Sequence, residues 1–361
     1  MLWQPNSVNS VIKPIFTIWK YIGLPNFTSK YCDKLKKDIF VSGNCQILPV
    51  TTLVMYLIAC VYFVSGRIFL SYTDTILAIQ FSFIGVMHGV TMSFVYARRK
   101  QIIDIVTKFS EAEERISKLT KNRVTYKYAD FLLKYIVAKY ICAFLTFVTD
   151  VVSEPIFKAD VSCYHLIWNY QFHLQLVFFV FFLVLKSLYA KVEEHVNKIH
   201  RTSGSQQSYK EIKGVIEDLD TIIVKIRKTF QEIILVETVF ETLCTTCGLY
   251  YVVLTVPNLE FALTATAVFY LFVQAAADFS TIFFFQFVVK QRVKLVETVA
   301  DIYGAKRGTD KKALYTTTLH FNDLQFNVCG FFFLDYRTIY SMVGGMSTIL
   351  VYLFQFRKKE I

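Results

Sequence analysis

A chain of 361 residues that is 54% apolar, 17% aromatic and only 19% charged does not have the composition of a soluble domain, in which about 25% of residues are charged. Its mean hydropathy of +0.42 points instead to a polytopic membrane protein. The net charge of +11 would suit a nucleic-acid partner, but the basic residues flank apolar spans, where they face an anionic leaflet, so no nucleic acid is expected.

Residues 1–46 hold scattered Lys and three Pro, with no compact apolar segment before a small-residue cleavage site. A cleavable signal peptide is therefore not expected, and the first span inserts the chain. Seven stretches are long enough to cross a bilayer, which needs about 20 apolar residues: 47–66, 74–97, 131–152, 166–189, 233–256, 261–288 and 331–356. Each must be helical, because lipid offers no partner to an exposed N–H or C=O.

Thirty of the 39 Lys and Arg fall before the first span or in the connections 98–128, 190–232 and 289–330, against five on the other side. The positive-inside tendency then places the N-terminus in the cytoplasm and the C-terminus outside. That is inverted relative to a G-protein-coupled receptor. No Asp-Arg-Tyr follows span three, no Asn-Pro-x-x-Tyr lies in span seven and no outer Cys pair is evident. Asn26-Phe27-Thr28 fits a glycosylation acceptor but falls on the cytoplasmic side.

Between spans two and three, Ile102, Ile103, Val106, Phe109, Ile116 and Leu119 keep helical spacing, so spans two and three are expected to continue as helices into the cytoplasm. Residues 210–232 repeat the pattern with Ile212, Val215, Ile216, Leu219, Ile222, Ile223 and Ile226. Residues 201–208 read as a flexible turn, 304–312 as a break, and 313–328 as a short helix. Cys244-x-x-Cys247 has redox or metal spacing but lies in an apolar helix with no second pair, so it reads as packing and no metal is expected. The six His are scattered, and no Gly-rich phosphate loop, nucleophile elbow or His-Glu-x-x-His is present. The chain does not read as an enzyme, and no cofactor is expected.

The last span is patterned at both ends. It opens Gly330-Phe331-Phe332-Phe333-Leu334-Asp335-Tyr336 and closes Thr348-Ile349, five hydrophobics, then Gln355-Phe356. On these motifs the chain resembles the insect gustatory receptor family of the insect chemoreceptor superfamily. The departure is Ile349, where the family usually has Tyr. The resemblance implies a ligand-gated cation channel, assembled as a homotetramer or a mixed tetramer with related subunits. It also implies a central pore lined by the seventh helices, a cytoplasmic anchor built from helix extensions, and a small-molecule tastant bound among spans two to six.

The residues of this chain fit that picture. Gly345, Ile349, Tyr352 and Phe356 recur every three or four positions and can share one face. Four Phe356 rings at an outer mouth would resist ions by dewetting. Gln355 lies about 100° around the helix, so a modest rotation would replace the ring with an amide. Gly344-Gly345 allows close packing or bending. Asp335 and Arg337 would sit at the inner entry, pairing or lining an ion exit. The bland alternative makes Phe356 a belt aromatic and Gln355 an interfacial amide.

For the pocket, intramembrane polar and aromatic groups are the candidates. They are Gln80 and His88 in span two and Thr149 and Asp150 in span three. Span four supplies His165, Trp168, Asn169, Phe172 and His173, and span five Tyr250 and Tyr251. Span six supplies Thr264, Tyr270, Gln274 and Asp278. Trp168 and Phe172 stand four apart on one face, a wall for an aromatic ligand or the apolar face of a sugar. Each of these has a plainer reading as a belt aromatic or an interhelical hydrogen bond.

The fold expected is therefore an all-α polytopic membrane protein with seven transmembrane helices. Its parts are a cytoplasmic segment 1–46, helices one to six with the pocket over 47–288, a linker and anchor helix over 289–330, and a pore-lining helix with a short outer tail over 331–361. The location expected is the plasma membrane of gustatory sensory neurons, with membrane lipids and permeating cations as further partners. Two other readings stay open: a seven-span receptor signalling through a cytoplasmic partner, and a small-solute transporter. A transporter would more often show repeated halves or matched broken helices, and neither is visible.

Overall fold

The computed structural model describes residues 5–21, 24–25, 27–32, 37–42, 51, 54, 58, 61, 86–87, 89–126, 128–153, 158–201, 206–255, 261–307 and 325–357. Within that set, most side chains of 149–174 and of 251–278 lie outside the description. Spans one and two are therefore largely outside it; the described residues 51, 54, 58, 61, 86–87 and 89–97 are helical.

The N-terminal segment is folded. Helix α1 (Val8–Tyr21) starts at a reciprocal cap in which Ser10 N donates to Ser7 Oγ at 3.2 Å and Ser7 N to Ser10 Oγ at 3.0 Å. The Val8 amide donates to the Glu113 carboxylate at 3.0 Å, so an acidic side chain from another helix meets the positive end of α1. Strands β1 (Phe27–Cys32) and β2 (Lys37–Ser42) form an antiparallel hairpin. Phe27 and Phe40 from it close on Phe16, at 4.5 Å and 5.1 Å between ring centroids.

The helix that contains residues 89–97 is distorted at Arg98 but keeps its direction, because Arg98 N donates to Phe94 O and Ile102 N to Arg98 O. Its extension is α2 (Arg99–Thr120). The expected inward stripe is real: Ile102, Val106, Phe109 and Ile116 are buried, and Ile103 and Leu119 pack against the same core. α2 stops at Lys121, whose φ of 53 is left-handed. Span three does not continue inward as expected. The chain is irregular over 121–126, tied by Tyr126 donating to Glu113 at 2.7 Å, and α3 (Ala129–Ser153) begins at the span itself. Burial beside Glu113 raises the Tyr126 phenol far above its ordinary range, so it stays a donor.

Helices α4 (Lys158–Arg201), α5 (Gln206–Thr255) and α6 (Phe261–Arg307) have 44, 50 and 47 residues. At 1.5 Å per residue each runs roughly 65–75 Å, against a hydrocarbon core of about 30 Å. Each therefore serves both as a span and as a long projection at the basic end. The projections bury Val192 and Val196 of α4. They bury Ile212, Val215, Ile216, Leu219, Ile222, Ile223 and Ile226 of α5, and Leu295, Val299 and Ile302 of α6. α4 and α6 make the most extensive helix contact, and α2 lies along α5. Gly214 has a packing reason: a Cβ there would meet the Arg115 guanidinium at 2.6 Å, and Arg115 crosses that spot to pair with Asp218.

One polar lock joins three of these helices. Arg292 of α6 donates from Nε and Nη2 to both oxygens of Asp220 on α5, at 2.8 Å and 2.6 Å. Tyr189 of α4 donates its hydroxyl to Asp220 Oδ1 at 2.7 Å. Arg292 is 3% exposed and Tyr189 0%. Nearby, Gln291 and Lys294 of α6 both reach Glu193 of α4, Lys294 at 2.8 Å. Arg98 reaches Glu232 and the carbonyls of Lys228 and Thr229 on α5.

The expected helix over 313–328 is not seen where it is described: 325–326 is irregular and 327–328 is strand, while 313–324 lie outside the described residues. β3 (Asn327–Val328) pairs with β4 (Phe332–Phe333), and α7 (Tyr336–Arg357) follows. The two short hairpins are additions to the expected all-α bundle. Arg292→Ala should lower stability by about 1–3 kcal/mol, because it leaves the half-buried Asp220 carboxylate without its fork. Fluorescence-detected gel filtration after graded heating would show this, and Arg292→Lys should recover only part, since an ammonium cannot make the fork.

Candidate functional site

The entry motif of the last span is a mechanical fitting, and each residue has a task. The β3–β4 turn needs positive φ at two successive residues, Cys329 at 51 and Gly330 at 83; glycine adopts it without strain. Asn327 Oδ1 accepts from the Gly330 amide at 2.7 Å. Leu334 is buried, and its amide donates to Phe326 O at 2.9 Å. Asp335 is the N-cap of α7: its Oδ1 accepts from the amides of Arg337 at 2.9 Å and Thr338 at 3.3 Å. Arg337 is exposed.

This fitting is fastened to the neighbouring helices. Gln286 of α6 donates to Leu334 O at 3.0 Å, and Arg227 of α5 donates to Gln325 O at 3.0 Å. Phe326 packs edge-on against Phe285 of α6 at 5.4 Å. The start of α7 is therefore held by both long helices.

Beyond its first turn α7 is sparsely covered. Its spanning window is 17% buried, against 83% for the apolar stretch of α4. Thr338, Met342 and Met346 are its buried stripe, packed on α5 and α6. Arg337, Tyr340, Ser341, Val343, Gly344, Ser347, Thr348, Val351, Tyr352 and Gln355 are exposed. Ser341, Ser347 and Thr348 turn their hydroxyls back onto the carbonyls four residues earlier.

A small cavity of about 20 Å³, room for about one water, lies where α4, α5, α6 and the foot of α7 meet. Its lining includes Gln175, Glu237, Glu241, Thr281, Leu334 and Met342. Gln175 Nε2 donates to Glu241 Oε1 at 2.9 Å, and both are buried. Glu237 is buried one turn along the same face of α5. The sequence reading named none of these three polar groups. The available signal was two carboxylates four apart inside a predicted span, where lipid tolerates acids only with partners.

Of the residues read as gate or pore, Tyr352 and Gln355 are exposed, Gly345 and Ile349 are half-buried, and the Phe356 side chain lies outside the described residues. Tyr250, read as a ligand contact, is fully buried and packs at a tilt against Phe354 of α7, 5.1 Å between ring centroids. Gln80 and His88 lie outside the described residues. Thr149 and Asp150 fall on α3, and His165, Trp168, Asn169, Phe172 and His173 on α4; their side chains are outside the described residues. The same holds for Tyr251 on α5 and for Thr264, Tyr270, Gln274 and Asp278 on α6.

This helical fold has known counterparts. Residues 12–360 match the family model of the 7tm chemosensory receptors. The chain belongs to that family. Two solved structures of the insect olfactory receptor OR5 from Machilis hrabei share the fold of this chemosensory receptor. One matches at a TM-score of 0.68 and 13% identity, covering 95% of this chain and 97% of that one. The other, OR5 in complex with eugenol, matches at a TM-score of 0.72 and 12% identity, covering 96% and 98%. No curated protein matches the receptor's sequence. The family and the apolar helices make this a multi-pass membrane protein.

Gln175→Leu should cost the chemosensory receptor about 1–3 kcal/mol, because it leaves the Glu241 carboxylate buried without its amide donor. Glu241→Gln, which retains a hydrogen-bonding oxygen, should cost less. Melting of the detergent-solubilised protein ranks the two.

Proposed function

We propose that this receptor is a gustatory-type, ligand-gated, non-selective cation channel. Four subunits bring their α7 helices around a common axis. The observation that carries this reading is the exposed stripe of α7. A helix facing lipid would present Leu, Ile, Val and Phe, whereas Ser341, Gly344 and Thr348 follow one another at three- or four-residue spacing on the uncovered side, with Gln355 two turns further on. Polar groups inside a membrane face an interior or water. Copies of the same stripe around a fourfold axis satisfy that requirement and leave a wet path.

The charge distribution supports a cytoplasmic basic end and an outer end at Gln355–Phe356. There the ring of Phe356 would close the path by dewetting, and the amide of Gln355 would line it when open. A small tastant is proposed for the outer halves of spans two to six, with Trp168, Asn169 and Phe172 as a wall. OR5 binds eugenol, a small aromatic molecule. Tyr250, packed on Phe354, is the described contact through which occupancy among those helices could reach α7. The proposed location is the plasma membrane of gustatory neurons. A receptor acting through a cytoplasmic partner would not need a polar uncovered stripe on its last helix, which favours the channel.

Expression in a cell without added G protein, followed by patch clamp, tests this. A tastant panel should evoke current, Phe356→Ala should raise current in its absence, and Trp168→Ala and Asn169→Ala should right-shift the response at unchanged surface expression. Unchanged basal current and gating in Phe356→Ala would remove the gate. Absence of any evoked current from surface-expressed protein across the panel would remove the channel.

A further inference from the structure

Four elements enter or leave the apolar region at the basic end, and together they deliver five aromatic or basic residues to a common surface. Tyr128 immediately precedes α3, Lys186 lies near the inner end of the apolar stretch of α4, Phe287 and Lys290 end that of α6, and Tyr336 begins α7. The Lys186 ammonium lies 4.2 Å from the Tyr128 ring centroid and 4.7 Å from that of Phe287. The Lys290 ammonium lies 5.7 Å from the ring of Tyr336. Among the described residues neither lysine is in an ion pair. Glu193, the acid nearest Lys186 in sequence, pairs with Lys294 at 2.8 Å, and of the acids beside the aromatic residues Asp130 pairs with Lys134 at 3.1 Å and Asp335 caps α7. One turn deeper into the span on α3 and α6 stand Phe131 and Phe283, both exposed. Phe131 packs on Phe284 and Phe283 on Tyr336, so the apolar surface is continuous with the basic rim.

We propose that this surface binds an anionic phospholipid. The headgroup phosphate sits between the ammonium groups of Lys186 and Lys290, and the acyl chains lie along Phe131 and Phe283. Charge complementarity selects the occupant. Two cations with no carboxylate partner among the described residues stand at headgroup depth above an exposed aromatic wall, and the rings of Tyr128 and Phe287 hold one cation in place before any lipid arrives. A neutral lipid would satisfy the wall but not the ammonium groups. Because the surface joins α3, α4 and α6 to the first residue of α7, an anionic lipid would brace the foot of the last helix from the membrane side.

The test is native mass spectrometry of the full-length receptor, purified in detergent and incubated with phosphatidylserine or phosphatidylcholine. Phosphatidylserine should be retained over phosphatidylcholine. Retention should fall about fivefold for each lysine removed, in Lys290→Gln and in Lys186→Gln with Lys290→Gln. Lys186→Arg should keep it, as should Lys198→Gln on the exposed anchor surface. Inorganic phosphate should not displace the lipid, which separates a lipid site from a phosphate site. If Lys186→Gln fails to fold, the exposed Lys290→Gln decides alone. Equal retention of the two lipids, an equal loss in Lys198→Gln, or displacement by inorganic phosphate would overturn the proposal. A changed oligomeric state with lipid adducts intact would instead make the face a subunit contact and overturn it as well.

Discussion

Asp220 accepts hydrogen bonds from the helices on either side of it, and much of the architecture is referred to that one carboxylate. Its two oxygens take the fork of Arg292, and one also takes the Tyr189 hydroxyl. The pair tolerates little displacement, because separation would leave the buried guanidinium without water and without its carboxylate. α4, α5 and α6 are therefore held in a fixed register just beyond the membrane. Gln286 is on the same rigid helix as Arg292, so the Leu334 carbonyl it holds is set relative to the lock. The foot of α7 inherits its position from an ion pair on helices that precede it in sequence.

α7 is built to opposite rules at its two ends. Its foot is capped by Asp335, anchored by Leu334 and clasped from α5 and α6. Its body is uncovered, and its hydroxyls are closed onto its own backbone. A helix fixed at one end and lightly packed along its length can tilt or turn without breaking its own hydrogen bonds. That is a mechanical property a moving pore helix needs. The buried pair Gln175 and Glu241 stands beside this foot, where the helices of the bundle and the last span meet.

Several elements were legible because their physics is local. Apolar length marked spans three to seven, and the isoleucine spacing over 210–232 identified the projection of α5, all of whose named residues are buried. Gly330 and Asp335 were noticed as a pattern, and their reasons, a left-handed turn and a helix cap, are local too. What escaped was non-local. Nothing near Asp220 in sequence names Arg292 or Tyr189, and Glu237 and Glu241 gained meaning only when Gln175 and Met342 arrived beside them. The folded N-terminal segment was missed for the same reason, since Glu113 lies 105 positions from the amide it caps. The inward continuation of span three failed because Lys121 ends α2 in a left-handed conformation, which helical spacing alone does not reveal.

By itself the sequence determined that this is a helical membrane protein, which stretches are apolar enough to cross, which ends are basic, and which family the last span resembles. Those follow from transfer free energies and charge, which are summed residue by residue. Only the tertiary structure decided which face of α7 is left uncovered, which buried charges meet, and that Lys186 and Lys290 come to one surface with the rings of Tyr128, Phe287 and Tyr336. Those depend on helix rotation and register, which are set by contacts between residues far apart in the chain.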